Sequence, residues 1–364
     1  MVTMDIRDSA IITFLRFPLI VLVVFSHNGG IGGYDSVHSI ADWTGAWQSD
    51  FYDIVRLGVR IFANQTTMQS FFFISGFLYF FNVREWNANT FWAKSKKRIS
   101  TLVIPYILWN MIAMLYPVVV HILLGIANPT HFEKARFYWN QLDWINSFWD
   151  TGTGCPFLFP LWYIRDLIFF CLLTPVIYPL LKGKHGWIIV ITFLFIYSFD
   201  YISWFIRYMA FFAAGAYLGI HKICISDLLI RNKNYIYFFA SILYILLLFF
   251  NYDCCIGHLS VVCLWNIFGS MLMFIFAINL INTSFFRMCC TLSVTVFFIL
   301  GFHNMDFMYM VDSLVERFYH YNNIWLNIFF YIAIPLIKVG ICITVYYFMK
   351  KIMPRTLKVL TGGR

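Results

Sequence analysis

Two side chains on one apolar segment carry the first chemistry that the sequence offers. Arg16 and His27 lie eleven residues apart in a predominantly apolar run from 10 to 27. In an α-helix, eleven steps of about 100° return to within about 20° of the starting direction and climb roughly 16 Å. The two side chains therefore share one face at different depths. A neutral imidazole accepts a proton from a hydroxyl near physiological pH. A guanidinium holds a developing oxyanion or a phosphate. Taken alone, the pair also fits a snorkelling arginine and an interfacial histidine.

Other ionisable groups fall inside apolar runs. Trp162, Arg165 and Asp166 open the run at 160–181, Arg207 lies near the start of the run at 203–221, and His303 and Asp306 lie late in the run at 291–310. Charged groups at bilayer depth are costly, so each is a candidate for a functional cavity. Arg165 beside Asp166 also reads as a structural ion pair. Lys94, Lys96, Lys97 and Arg98 gather four cations just before another apolar run. They read either as topogenic charge or as a docking site for an anionic, phosphorylated donor. No metal site is expected, because Cys254-Cys255 and Cys289-Cys290 have no His or further Cys at ligand spacing. Cysteines within apolar runs read as small packed hydrophobes.

The elements that must position these groups follow from composition. Of 364 residues, 61% are hydrophobic and 12% charged, against roughly 25% charged in an ordinary soluble domain. A water-soluble globule is excluded. At about 20 residues per crossing, the chain supplies about ten membrane helices, at 10–27, 67–83, 102–126, 160–181, 187–202, 203–221, 235–251, 259–281, 291–310 and 325–349. The runs are continuously apolar rather than alternating, which favours helices over a strand barrel. The expected fold is an all-α polytopic membrane helical bundle, residues 1–364 forming a single domain with no appended soluble domain.

Charge orients the bundle. With the N-terminus inside, seventeen Lys and Arg fall on the inner side and five on the outer, while Arg16, Arg165, Arg207 and Lys338 lie within spans. The asymmetry places both termini in the cytoplasm. It also puts His27, Arg165, Arg207, His303 and Asp306 at one outer stratum. The net charge of +9 comes from short clusters between apolar runs and not from one solvated face, so no nucleic-acid partner is expected. Two long outer loops, 28–66 and 127–159, are rich in Trp, Tyr, Asp and Asn, a composition that fits interfacial anchoring and also contact with carbohydrate.

Several stretches resemble one family. RFPLIVLVVFSH (16–27) resembles the Arg, ten residues, His motif of the acyltransferase 3 family, and FFFISGFLYF (71–80) its second-helix signature. FWAKSKKRISTLVIPYILW (91–109), PLWYIRDLIFFCLLTPVI (160–177) and FFILGFH (297–303) are similar to three later landmarks. The resemblance implies a ten-helix membrane enzyme that carries an acyl group, commonly acetyl, from cytoplasmic acyl-CoA to a hydroxyl of a glycan or glycolipid. It implies His27 as the catalytic imidazole and Arg16 as its partner in the acyl-CoA channel. It implies Ser75 beside Gly76 as a small-residue turn that lets the pantetheine arm pass, and Lys94, Lys96, Lys97 and Arg98 as the group meeting coenzyme A phosphates. Trp162, Arg165, Asp166, Arg207, His303 and Asp306 are expected as support.

Two departures stand out: Thr101 where the family often has a second Arg, and Leu300 where it has Tyr. Expected partners are the lipid bilayer, acyl-CoA and a carbohydrate or glycolipid acceptor, with self-association left open and no metal required. The expected location is an integral position in a bacterial cytoplasmic (inner) membrane. The rival class is a secondary transporter or polysaccharide-export component that binds an anionic substrate without chemistry.

Overall fold

A computed structural model describes residues 5–28, 40–43, 45–152, 154–197, 204–249, 256–317 and 323–363. Among these residues the regular structure is helical and there is no strand. The helices are α1 (Ile6–Ser26), α2 (Trp47–Phe81), α3 (Ala88–Arg98), α4 (Ile104–Gly125), α5 (Thr130–Asn140), α6 (Trp162–Leu172), α7 (Thr174–Lys182), α8 (Gly186–Tyr197), α9 (Trp204–Ile220), α10 (Ile225–Phe249), α11 (Ile256–Leu280), α12 (Ser284–Leu292), α13 (Val296–Phe302), α14 (Tyr309–Glu316), α15 (Ile324–Ile352) and α16 (Pro354–Leu360). Six stretches are long and apolar enough to cross a membrane: Ile6–Ser26, Ala88–Gly125, Ile225–Phe249, Val261–Leu280, Ser284–Phe302 and Ile324–Ile352. The broken pair α6 and α7 makes a seventh if it counts as one span. The chain divides into two compact units, one built from Met1–Phe91, Leu173–Val296 and Val315–Ile337, the other from Trp92–Leu172, Phe297–Leu314 and Lys338–Arg364.

In the first unit, α2 packs against α1, α9, α10 and α11. Its contact with α9 is set by glycines. A Cβ on Gly76 would lie 2.0 Å from the Phe212 carbonyl oxygen, and one on Gly215 would lie 1.9 Å from that of Phe73. The two backbones touch reciprocally, the close approach that small residues permit between membrane helices. Leu57 and Ile61 of α2 join Leu243 and Leu247 of α10 and Trp265 of α11 in a buried cluster.

Helix ends in this unit are closed from a distance. The buried Asp8 carboxylate accepts from the backbone N–H groups of Ile225 (2.8 Å) and Ser226 (3.0 Å), capping α10. Lys222, in the left-handed region at φ 56°, donates through Nζ to the carbonyls of Phe80, Phe81 and Val83 and so closes α2. Burial lowers the Lys222 ammonium pKa. Asp8→Ala is expected to cost about 1–2 kcal/mol through the lost cap, read as a lowered melting temperature in detergent. Asp8→Asn should keep part of that stability, because one amide oxygen still accepts.

α2 starts at Trp47, twenty residues before the start of the apolar run, so residues 47–66 are helix where the sequence reads as outer loop. The reason is that this turn-rich charged stretch faces protein. Asp50, Asp53 and Arg56 are buried, Arg56 pairs with Asp53 at 3.3 Å, and Tyr52 packs edge-on against Tyr331 of α15. The 29–39 part of that loop lies outside the described residues, as do Cys254 and Cys255.

In the second unit, α3 runs through a π-helical turn at Ile99–Val103 into α4. α4 packs against α5 and α16. The indole of Trp109 donates to the Leu360 carbonyl at 3.0 Å. The apolar run 160–181 is broken at Leu173, because Pro175 at the start of α7 offers no backbone N–H to continue α6. The run 291–310 is likewise interrupted: a 3₁₀ turn at Ser293–Thr295 joins α12 to α13, and a second at Asp306–Met308 precedes α14.

Candidate active site

α1 presents its Arg16 and His27 face to protein. Ile12, Ile20 and Val23, which share that face by helical spacing, are 2%, 1% and 0% exposed, whereas Arg16 and His27 are only half-buried. α1 packs against α2, α11 and α12. Arg16 and His27 are thus partly exposed positions on a face otherwise enclosed by protein. Pro18 lies between them and leaves the Phe14 carbonyl without its helical donor. His27 ends α1, its backbone N–H donating to the Val23 carbonyl at 3.2 Å. Asn28 Nδ2 donates to the Tyr331 carbonyl at 2.8 Å and ties the end of α1 to α15.

Ser75 is half-buried on α2 in the same unit. The small-residue turn expected at Ser75 and Gly76 is absent, because α2 is continuous helix there and Gly76 is filled by the α9 backbone. The glycine serves helix packing, and no ligand fits at its Cα. One turn earlier, α2 carries a tract that sequence reading passed over: Asn64, Gln65, Thr66, Thr67, Gln69 and Ser70. The hydroxyls of Thr66, Thr67 and Ser70 bond back to carbonyls four residues earlier. The side-chain oxygens of Asn64 and Gln69 are buried with no partner among the described residues. Such orphaned acceptors call for water or a ligand donor. The available signal was a run of amides and hydroxyls in mid-helix, which depressed the hydropathy and shifted the reading to 67.

Arg207 of α9 lies over the Tyr197 ring at 5.1 Å, and its buried Nε has no partner among the described residues. The Tyr197 hydroxyl accepts from Asn266 Nδ2 of α11. Ser270, one turn further on, donates to the Asn266 carbonyl at 2.6 Å. The first unit thus holds a buried polar cluster shared by α8, α9 and α11.

The remaining candidates belong to the second unit. On α3, Lys94 and Arg98 are half-buried and face Cys171 of α6, whose thiol Arg98 hydrogen-bonds; Lys96 and Lys97 point to the exterior. Trp162, Arg165 and Asp166 open α6. Arg165 donates to Asp166 at 3.0 Å and to the Trp149 carbonyl, and it covers the Trp149 ring at 5.4 Å. It clamps the loop before α6. His303 is buried at the end of α13, where Nδ1 bonds the Ile299 carbonyl at 2.7 Å. That bond makes Nδ1 the protonated nitrogen and Nε2 the proton acceptor. Lys338, within α15, pairs with Asp312 at 2.7 Å.

Asp306 lies beyond α13, in the following 3₁₀ turn, rather than inside a span as its apolar surroundings suggested. Partial burial raises its carboxyl above the usual value. Together with Asn304, Tyr309, Phe157 and Phe159 it lines a cavity of about 190 Å³.

An apolar chain that is helical among its described residues, with helices long enough to cross a bilayer, is an integral membrane protein. The chain matches the acyltransferase domain over residues 10–347 and belongs to the acyltransferase 3 family. No curated protein and no solved structure matches it. It is an acyltransferase of the membrane, and the rival transporter class gains no support.

Proposed function

We propose that the protein moves an acyl group, in the first instance acetyl, from cytoplasmic acyl-CoA to a hydroxyl of a glycan or glycolipid, in a bundle of ten crossings with both termini in the cytoplasm. The observation that carries this reading is the α1 face on which half-buried Arg16 and His27 flank Ile20 and Val23, residues fully enclosed by protein. An imidazole there has two uses. As a general base it takes the proton of the acceptor hydroxyl while the oxygen attacks the thioester carbonyl, and the C–S bond breaks as the coenzyme A thiolate leaves and is reprotonated. As a carrier it attacks the thioester carbonyl itself and expels the coenzyme A thiolate; the acceptor oxygen then takes the acyl group as the C–N bond breaks, and its proton passes to the released imidazole. Arg16, roughly 16 Å away along the same face, is read as holding negative charge of the acyl-CoA in the channel rather than at the reacting carbonyl.

The α3 cations are read as the element that binds the phosphates of coenzyme A. Replacing the exposed Lys96 and Lys97 by alanine should raise KM for acetyl-CoA about tenfold, the scale of one lost charge-assisted hydrogen bond. An acetyl-pantetheine thioester, which lacks the nucleotide phosphates, should be turned over equally by variant and wild type. The reading as a whole is tested by giving purified protein radiolabelled acetyl-CoA. Release of free coenzyme A is expected, and an intact thioester in folded protein would refute it.

A further inference from the structure

The cavity of the second unit is built from a loop and a turn held from below. Asn110 of α4 accepts from the Leu158 backbone N–H at 3.0 Å, and the Phe157 N–H bonds the Ser147 carbonyl at 2.8 Å. Leu158 is extended and buried at 3% exposure. Its neighbours Phe157 and Phe159 are 40% and 38% exposed and line the cavity with it. Facing them, the turn after α13 brings Asn304, Asp306 and Tyr309, whose hydroxyl donates to Asn304 Oδ1 at 3.3 Å. That bond orients the amide and leaves its N–H₂ as a donor, and the Asp306 carboxylate lining the same cavity is an acceptor. Ala113 of α4 closes the floor.

Interfacial anchoring alone would account for exposed rings, but not for rings that share a cavity with a carboxylate and an amide. At about 190 Å³ the space falls below the roughly 300–1,000 Å³ of a drug-sized site and takes a single small ring. Ring faces meet the C–H faces of a pyranose, while a donor and an acceptor in the same cavity satisfy ring hydroxyls. A cation would suit the rings and the carboxylate but would meet the Asn304 N–H₂ unfavourably.

We propose that the cavity bounded by Phe157, Phe159, Asn304, Asp306 and Tyr309 binds one sugar ring. The experiment is saturation-transfer NMR on the purified protein in a zwitterionic detergent without a sugar headgroup, using methyl glucopyranoside and methyl galactopyranoside as probes, with cyclohexanol and tetramethylammonium for comparison.

At least one glycoside is expected to bind, with tenfold or greater weakening in both Asp306→Ala and Phe159→Ala. Ala113→Leu, which fills the floor, should also displace it. Glycosides that fail to bind, or that bind the folded variants as well as wild type, would overturn the proposal. So would preferential binding of tetramethylammonium or cyclohexanol. Coenzyme A release, followed in the same wild-type preparation, separates the two readings: release without glycoside binding removes the sugar site alone, and binding without release removes the acyltransferase reading alone.

Discussion

His27→Ala protein, inserted and folded like wild type, should transfer acyl groups at least about 100-fold more slowly, the lower end of what one positioned acid–base group contributes. Both chemical uses of the imidazole pass through this side chain, so no second path preserves the rate. The loss should fall on kcat, with KM for acetyl-CoA little changed, because the proposed contacts to the coenzyme A phosphates lie on α3 (Ala88–Arg98) and not at His27. Arg16→Lys should also be slow, since a point charge on a flexible stem does not reproduce a planar guanidinium. Mass spectrometry of the wild type after a rapid quench separates the two mechanisms: an acyl adduct on His27 marks the carrier, and its absence during steady turnover marks the base.

Gly76→Val and Gly215→Val should each yield little or no folded protein. In both cases the first side-chain carbon meets a backbone carbonyl oxygen at about half of normal contact distance, 2.0 Å at Phe212 and 1.9 Å at Phe73. A side chain could rotate away, but a helix backbone cannot. Relief requires α2 and α9 to separate along their whole contact. The cost should exceed the 1–3 kcal/mol typical of overpacking, and it removes the packing that small residues alone allow between membrane helices. Loss of the monodisperse peak on size-exclusion chromatography in detergent checks this. A well-folded Gly215→Val protein would mean that the two helices do not touch.

Much of the fold was legible because lipid imposes one rule, continuous apolarity over a helix length. Every apolar run in the sequence contains helix among the described residues, although the runs 160–181 and 291–310 are broken. What misled was helix that faces protein: the first turns of α2 carry Asp50, Asp53 and Arg56, each buried by neighbours that no local window contains. Pro175 was visible as a kink, but the interruption around Ser293–Thr295 has no proline to announce it. At the site, the sharing of one face by Arg16 and His27 followed from spacing alone. The Ser75-Gly76 pair was misread because glycine marks close approach of any kind, and here the approaching group is the α9 backbone rather than a ligand. Arg165 shows the same limit, since its partner Trp149 lies sixteen residues away in a loop.

The central claim is that Arg16 and His27 open into one aqueous space that acyl-CoA enters. With the nine native cysteines replaced, Arg16→Cys and His27→Cys should each react with a charged, membrane-impermeant thiol reagent, and acyl-CoA should slow both reactions. If either thiol, in folded protein, resists the charged reagent yet reacts with a lipid-soluble maleimide, that side chain faces lipid and the account is wrong.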